Sequence, residues 1–257
     1  MEGGEEIRLE VGDGVAVLTI DRPAVRNAVD LPSARRIAAA IDELERAEDA
    51  AVGVIVGAGG TFSAGMDLKA LVATGERPTE TSRGAFGVCG RPPEKPLIAA
   101  VEGIAYGGGF EIALACDCIV AAEDARFGLP EVKRGLIAAA GGVLRLPRRV
   151  PRNVAAELAM TGEPLAAPRA QELGLVNRLT APGGALEEAL ALARQIAANA
   201  PLAVRTSKRI VAESGTWTEG EMFERQQPLV DLIRDSEDAA EGTRAFVEKR
   251  APRWTGR

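Results

Sequence analysis

The chain has 257 residues, 46% hydrophobic and 26% charged, enough for one large domain with a real apolar core, and its formal net charge of −6 argues against the basic face that general nucleic-acid binding requires. It contains no histidine, which excludes Ser-His-Asp and Cys-His catalysis, argues against a zinc site and leaves proton chemistry to carboxylates, Lys, Cys or the lone Tyr106. Aromatic residues make up only 4%, so the core must be built mainly from Ala, Val, Leu and Ile.

Three cysteines, Cys89, Cys116 and Cys118, cannot all pair internally, and the single residue between the last two suits neither a disulfide framework nor a metal pair. They read as reduced, buried thiols in a reducing compartment. The acidic start (Glu2, Glu5, Glu6) lacks an apolar signal core, and no apolar stretch approaches a membrane span, so a cytoplasmic protein without a membrane partner is expected.

In chain order, residues 7 to 20 alternate as a hairpin turning at Gly12-Asp13-Gly14, and Asp21-Arg22-Pro23 breaks the second strand. Apolar residues at helical spacing predict a helix over 31 to 47 with Asp30 as N-cap. Val52 to Val56 predicts a buried strand, followed by a glycine loop and a short helix from Asp67. Residues 74 to 96, rich in Gly and Pro, predict a mobile segment around a short helix. Leu97 to Val101 and Ile119 to Ala122 predict strands on either side of a helix that opens at the glycine run and ends near Ala115. This alternation predicts a parallel α/β core. Beyond Gly141-Gly142 the chain turns mostly helical, with breaks at Gly162, Pro164 and Gly174 and a short strand within Leu175 to Leu179. A helix over Leu186 to Ala200, Pro201 in the first turn of the next, and Ser236 as a later N-cap complete the pattern. Residues 1–195 then form one domain and 196–257 a helical appendage.

Gly107-Gly108-Gly109-Phe110-Glu111 is the most informative segment. Bare glycines let a ligand touch backbone, and a helix starting there aims free N–H groups and a positive dipole end at an oxygen anion. In Phe62-Ser63-Ala64-Gly65-Met66-Asp67-Leu68, Gly65 permits a sharp bend that turns the Met66 N–H outward. Glu131 follows in Phe127-Gly128-Leu129-Pro130-Glu131; since a strand intervenes, any pairing of Glu111 with Glu131 is tertiary. Gly57-Ala58-Gly59-Gly60 lacks the third glycine of a dinucleotide fingerprint and reads as a turn.

Together these pieces resemble the crotonase (enoyl-CoA hydratase/isomerase) superfamily over nearly the whole chain. Asp21-Arg22-Pro23-Ala24-Val25-Arg26-Asn27-Ala28 is similar to its N-terminal CoA-binding stretch, and Phe62 to Leu68 and Gly107 to Glu111 to its two oxyanion loops. Thr161-Gly162, Ala170 and Leu173 to Asn177 match its middle helices; Ser236 to Gly242 and Phe246 to Arg250 match its C-terminal end. The resemblance implies an α/β fold with a crotonase-like β-β-α spiral core and a C-terminal helical trimerisation region, assembled as a trimer or a dimer of trimers.

By that resemblance, backbone N–H groups of Met66 and Gly108 hold the thioester oxygen of an acyl-CoA. Both glutamates fall on positions that family hydratases use: Glu111 activates water for addition at C3, and Glu131 gives a proton to C2, with exchanged or shared roles open because paired carboxylates titrate together. Arg26, Ala64, Met66, Asp67, Leu68, Lys69 and Phe246 are implied in CoA binding, with Lys249 reaching in from the C-terminal end of this or a neighbouring subunit. No metal and no cofactor is implied, since coenzyme A is part of the substrate. Leu136 to Gly142 departs from the usual proline-glycine version of a loop that borders the acyl tail. Phe110 to Leu146 is also similar to carnitinyl-CoA dehydratases. The leading expectation is an enoyl-CoA hydratase; the alternatives are a carnitinyl-CoA dehydratase or another acyl-CoA lyase or isomerase, and a non-catalytic acyl-CoA-binding protein.

Overall fold

The first strands, β1 (Ile7–Gly12) and β2 (Gly14–Ile20), pair antiparallel with Ile7 opposite Ile20 and Gly12 opposite Val15. Asp13 and Gly14 both take positive φ, 52° and 77°, the backbone that joins twisted strands through a two-residue turn. The computed structural model describes residues 6–257, so Glu2 and Glu5 of the acidic start lie outside the described residues. Helix α1 (Leu31–Arg46) begins where Asp30 accepts from the Ser33 N–H at 2.8 Å, and leads into β3 (Ala50–Gly57) and α2 (Leu68–Thr74), capped by Asp67.

Two-residue strands β4 (Thr79–Glu80) and β5 (Gly84–Ala85) follow, then β6 (Leu97–Val101), β7 (Ile104–Tyr106), α3 (Gly108–Ala115), β8 (Cys118–Ala122) and β9 (Arg126–Gly128). Beyond the 3-10 turn Pro130–Arg134 come α4 (Gly142–Arg145), α5 (Arg152–Thr161), β10 (Leu165–Ala166), α6 (Ala167–Glu172) and β11 (Arg178–Thr180). Four helices finish the chain: α7 (Ala185–Ala197), α8 (Pro201–Ser214), α9 (Met222–Arg234) and α10 (Glu237–Glu248), the last capped by Ser236. Among the described residues no helix is long and apolar enough to cross a membrane.

The main sheet runs β1-β2-β3-β6-β8-β11, parallel from β2 onward, and a smaller sheet runs β10-β9-β7. Successive turns of chain place one strand in each sheet, β6 then β7 and β8 then β9, which is the β-β-α spiral. One face of the main sheet presents Val52, Val54, Val56, Ile98 and Val120 to Ala185, Ala189 and Ala193 of α7, a stripe at intervals of four whose small side chains let helix and sheet approach closely. The other face presents Leu18, Ile20 and Ile55 to Ile37, Ile41 and Leu44 of α1.

Past the last residue of α2 at Thr74, the segment to residue 96 holds no helix, contrary to the pattern read there. Gly84, Phe86 and Gly87 take φ of 76°, 56° and 71°, which no right-handed helix contains, and a Cβ on Gly87 would lie 2.1 Å from the Ala34 carbonyl oxygen. This segment is pinned to α1 by buried cations: Arg83 donates to Asp42 at 2.8 Å and to the Arg91 carbonyl, and Lys95 donates to the last carbonyls of α1 at Leu44 and Ala47. The strand expected within Leu175 to Leu179 begins only at Arg178, because the Leu175 and Val176 N–H groups are taken by the Ala170 carbonyl.

Asn27 locks the first loops together. Fully buried with φ 54°, it accepts from the Arg22 N–H at 2.8 Å and donates to the carbonyls of Ala58 and Thr61 at 2.8 and 2.6 Å. Replacing Asn27 by Ala strands those buried carbonyls and leaves an L-residue without its local bonds at positive φ. The expected cost is on the order of 3 kcal/mol, read as a lower urea midpoint with an unchanged slope.

Candidate active site

Each glycine of the run answers a different neighbour. Gly107 adopts φ 53° and ψ −124°, and a Cβ there would lie 3.0 Å from Glu131 Oε1. A Cβ on Gly108 would lie 2.1 Å from the ring of Phe86, and one on Gly109 would lie 2.2 Å from the Ser63 carbonyl oxygen. Helix α3 starts at Gly108, and Glu111 stands in its first turn, fully inside the protein.

The second loop is brought alongside by a short parallel pairing with β7: Ser63 N–H donates to Ile104 O at 3.0 Å, and Tyr106 N–H donates to Ser63 O at 3.0 Å. Ser63 Oγ donates to the Asn27 carbonyl and accepts from the Gly65 N–H. Gly65 takes φ 90°, and a Cβ on it would lie 2.7 Å from the Gly108 nitrogen. Val29 bonds to Gly65 O and to Asp67 N–H, so the Met66 N–H between them points away from that bridge. Gly108 supplies the first N–H of α3, which has no acceptor one turn back in the helix. Among the described residues neither amide donates to a backbone or side-chain acceptor. Two adjacent N–H groups thus open on one cleft of about 860 Å³.

Both glutamates line that cleft. Glu111 Oε1 accepts from the Gly142 N–H at 2.9 Å, which fixes the carboxylate. Burial pushes its carboxyl up to about 7; the Gly142 N–H works against the rise and the Glu131 charge adds to it. Burial also raises Glu131, whose Oε2 is enclosed without a hydrogen-bond partner among the described residues. A pair of carboxyls that resist ionisation beside free backbone donors is equipped to exchange protons with a substrate whose oxygen is held.

Arg26, Ala64, Met66 and Leu68 line the cleft as well. Asp67 does not: it caps α2 through the Lys69 and Ala70 N–H groups and faces Arg22 at 3.5 Å. Lys69 lies on the exposed side of α2, while Phe246, 86% exposed, and Lys249 sit at the end of α10 away from the cleft of their own chain. Four further arginines, Arg77, Arg134, Arg145 and Arg148, line the cleft without having stood out in the sequence. Nothing in their neighbours separates them from the other arginines; only the folding of distant loops collects them. Arg145 also donates to the carbonyls of Ala140 and Cys89, tying two walls together. Phe86 was equally unmarked, since its role over Gly108 depends on a left-handed backbone that no local motif announced.

The sequence profile of the enoyl-CoA hydratase/isomerase family matches residues 10–257. The structure superposes on a crystal structure of an enoyl-CoA hydratase from Mycobacterium tuberculosis with a TM-score of 0.96 at 52% identity, covering 99% of this chain and 100% of that one. Among characterised sequences, the enoyl-CoA hydratase EchA19 of Mycobacterium tuberculosis is 39% identical over 100% of this chain and 99% of its own. A carnitinyl-CoA dehydratase of Salmonella typhi is 40% identical over 98% and 99%. This chain belongs to the enoyl-CoA hydratase/isomerase family.

The buried carboxyl has a measurable consequence. Between an unfolded value near 4.5 and a folded value of about 7, the folded protein holds a proton on Glu111 that the unfolded chain has released. Stability therefore falls as pH rises through that window, by on the order of 2–3 kcal/mol for this group. Glu111→Gln is expected to flatten that part of the curve when urea unfolding is compared between pH 4.5 and 8.

Proposed function

We propose that this chain is an enoyl-CoA hydratase that adds water reversibly, in the syn sense, across the C2=C3 bond of a 2-enoyl-CoA thioester. The observation that carries the reading is the meeting, in one cleft, of Glu111 and Glu131 with the free N–H groups of Met66 and Gly108. The two amides receive the thioester oxygen. As water attacks C3, negative charge moves onto that oxygen, and donors already aimed at it need no reorganisation; such a donor is typically worth about 3–4 kcal/mol. Ionised Glu111 takes the proton from water, and protonated Glu131 delivers one to C2. The carboxyls end with their protons exchanged, ready for reset through solvent. Coenzyme A arrives as part of the substrate, so no resident cofactor enters the reaction.

Carnitinyl-CoA dehydration is the second reading, favoured by the 40% identity to the Salmonella typhi enzyme. Among the described residues, its quaternary ammonium tail would enter a cleft lined by five arginines, Arg26, Arg77, Arg134, Arg145 and Arg148, with Phe86 and Tyr106 as its aromatic residues and its two carboxyls, Glu111 and Glu131, engaged in the proton transfers. Cation recognition calls for an aromatic or acidic cage, so this lining favours an uncharged acyl tail. The arginines suit the phosphates of coenzyme A instead.

Self-association as a trimer or dimer of trimers belongs to the same proposal, with residues 196–257 as its oligomerisation region. It is supported by exposed apolar side chains on the last three helices, Val211, Phe223, Leu232, Phe246 and Val247. Lys249 and Phe246 would then meet the coenzyme of a neighbouring subunit. The three unpaired cysteines suit a reducing cytoplasm.

The test is loss of the enoyl-thioester absorbance of crotonyl-CoA. The wild type is expected to turn it over, and Glu111→Gln and Glu131→Gln each to lower kcat by about 10²- to 10⁴-fold. Activity should fall on the acid side of pH 7 as Glu111 takes up its proton. Turnover of carnitinyl-CoA with none of crotonyl-CoA would transfer the assignment to the second reading.

A further inference from the structure

Arg145, the last residue of α4, is half-buried, and its side chain folds back over the start of its own helix. Its Nη1 donates to the Ala140 carbonyl at 3.2 Å and its Nη2 to the Cys89 carbonyl at 2.6 Å. Gly141 makes room for this: it takes φ 113°, and a Cβ on it would lie 2.2 Å from Nη1. The guanidinium therefore lies across the turn 140–142, whose Gly142 N–H holds Glu111 Oε1 at 2.9 Å. Its other hold, at Cys89, is on the segment that carries Phe86 over Gly108. Among the described residues it is the one cleft arginine that bridges two separate segments; Arg134 bonds within its own turn, to the Pro130 carbonyl.

The titratable groups facing Glu111 are Glu131 from the 3-10 turn, Cys89 from the wall segment and Arg145 from α4. Burial raises the Glu111 carboxyl; the Gly142 and Ala140 amides and the Arg145 charge work against that rise, and the Glu131 charge adds to it. The Cys89 thiol is itself pushed up by burial and stays neutral. Arg145 is thus the cation facing the carboxyl, and also the side chain that holds the carboxyl's backbone anchor.

We propose that Arg145 is the positioning residue for Glu111: its fork on the Ala140 and Cys89 carbonyls clamps the 140–142 turn, keeps the Gly142 amide on the carboxylate, and joins that turn to the wall over the oxyanion donors. The role of Glu111 as base, and so the effect on turnover, rests on the hydratase reading above. A lysine can supply the charge but not the planar two-carbonyl grip, so the two contributions separate.

The experiment follows crotonyl-CoA hydration from about pH 5 to 9 on wild type, Arg145→Lys and Arg145→Met, with the Kd for free coenzyme A measured by calorimetry. Arg145→Met is expected to lower kcat about 10- to 100-fold and to move the acid limb to higher pH by about half a unit or more. Arg145→Lys should leave the limb near its wild-type position and still lose about tenfold in kcat. The Kd for coenzyme A should stay within about twofold of wild type in both. A raised Kd with kcat unchanged would make Arg145 a phosphate ligand and overturn the proposal, as would an acid limb that stays in place in Arg145→Met. Thermal melting checks that each variant folds; if Arg145→Met does not, an unchanged kcat in Arg145→Lys overturns the clamp. A wild type inactive on crotonyl-CoA overturns the hydratase reading alone. The Glu111 titration, read by NMR of 13C-carboxyl-labelled glutamate against Glu111→Gln, then decides the clamp: a rise in Arg145→Met supports it and an unmoved titration sinks it.

Discussion

The site depends on one close approach: backbone at Gly65 set against backbone at Gly108. Neither loop makes a two-donor pocket alone. Bringing them within reach requires that no Cβ stand at Gly65, Gly108 or Gly109, and that Gly107 hold a backbone conformation closed to other residues. The scaffold serves this contact. The pairing of Ser63 with β7 sets its register, Asn27 and the Ser63 hydroxyl tie the loop to the first crossover, and α3 provides the second donor because its start is the only part of a helix with uncommitted N–H groups. An alanine stripe on α7 lets the sheet lie tightly under a helix and so gives the loops at its edge a firm base.

Electrostatics follows from the same geometry. Glu111 belongs to the first turn of α3, where the helix dipole favours its charge, yet its enclosure outweighs that effect and the carboxyl is pushed up to about 7. The Gly142 N–H limits the rise and aims the group. Glu131 reaches the cleft from the 3-10 turn after β9, the neighbour of β7 in the smaller sheet, through space left by Gly107. The two carboxyls are both raised by burial but differ in their bonding: among the described residues one is anchored by a backbone amide and the other has an oxygen without a partner.

The legible parts of this molecule are those whose cause is local. The Asp13-Gly14 turn, the Asp30 and Ser236 caps, the alternating strands and the glycine run each carry their physical reason within a few residues, and each stands in the structure where the sequence placed it. The strands β7 and β9 are three residues long and carry no period to read, so they went unmarked. Residues 74 to 96 show a related limit: their pattern predicts a short helix, whereas positive φ at Gly84, Phe86 and Gly87 forbids one and Arg83 and Lys95 tie the segment to α1. Glu111 and Glu131 were legible as chemistry but not as neighbours, since their meeting is made by the spiral. The cleft arginines illustrate the limit, being ordinary in the sequence and collected only by the fold.

The loop from Ala138 to Gly142 is held by its main chain, where Arg145 grips the Ala140 carbonyl and the Gly142 amide grips Glu111, and by Ala138, whose methyl is buried in the core. Ala139, exposed on the cleft, bears none of that load. That position can change, altering what the cleft admits, while the carboxylate the loop steadies stays in register. Selectivity and chemistry are thereby inherited separately, and a lineage can change its diet without relearning the reaction.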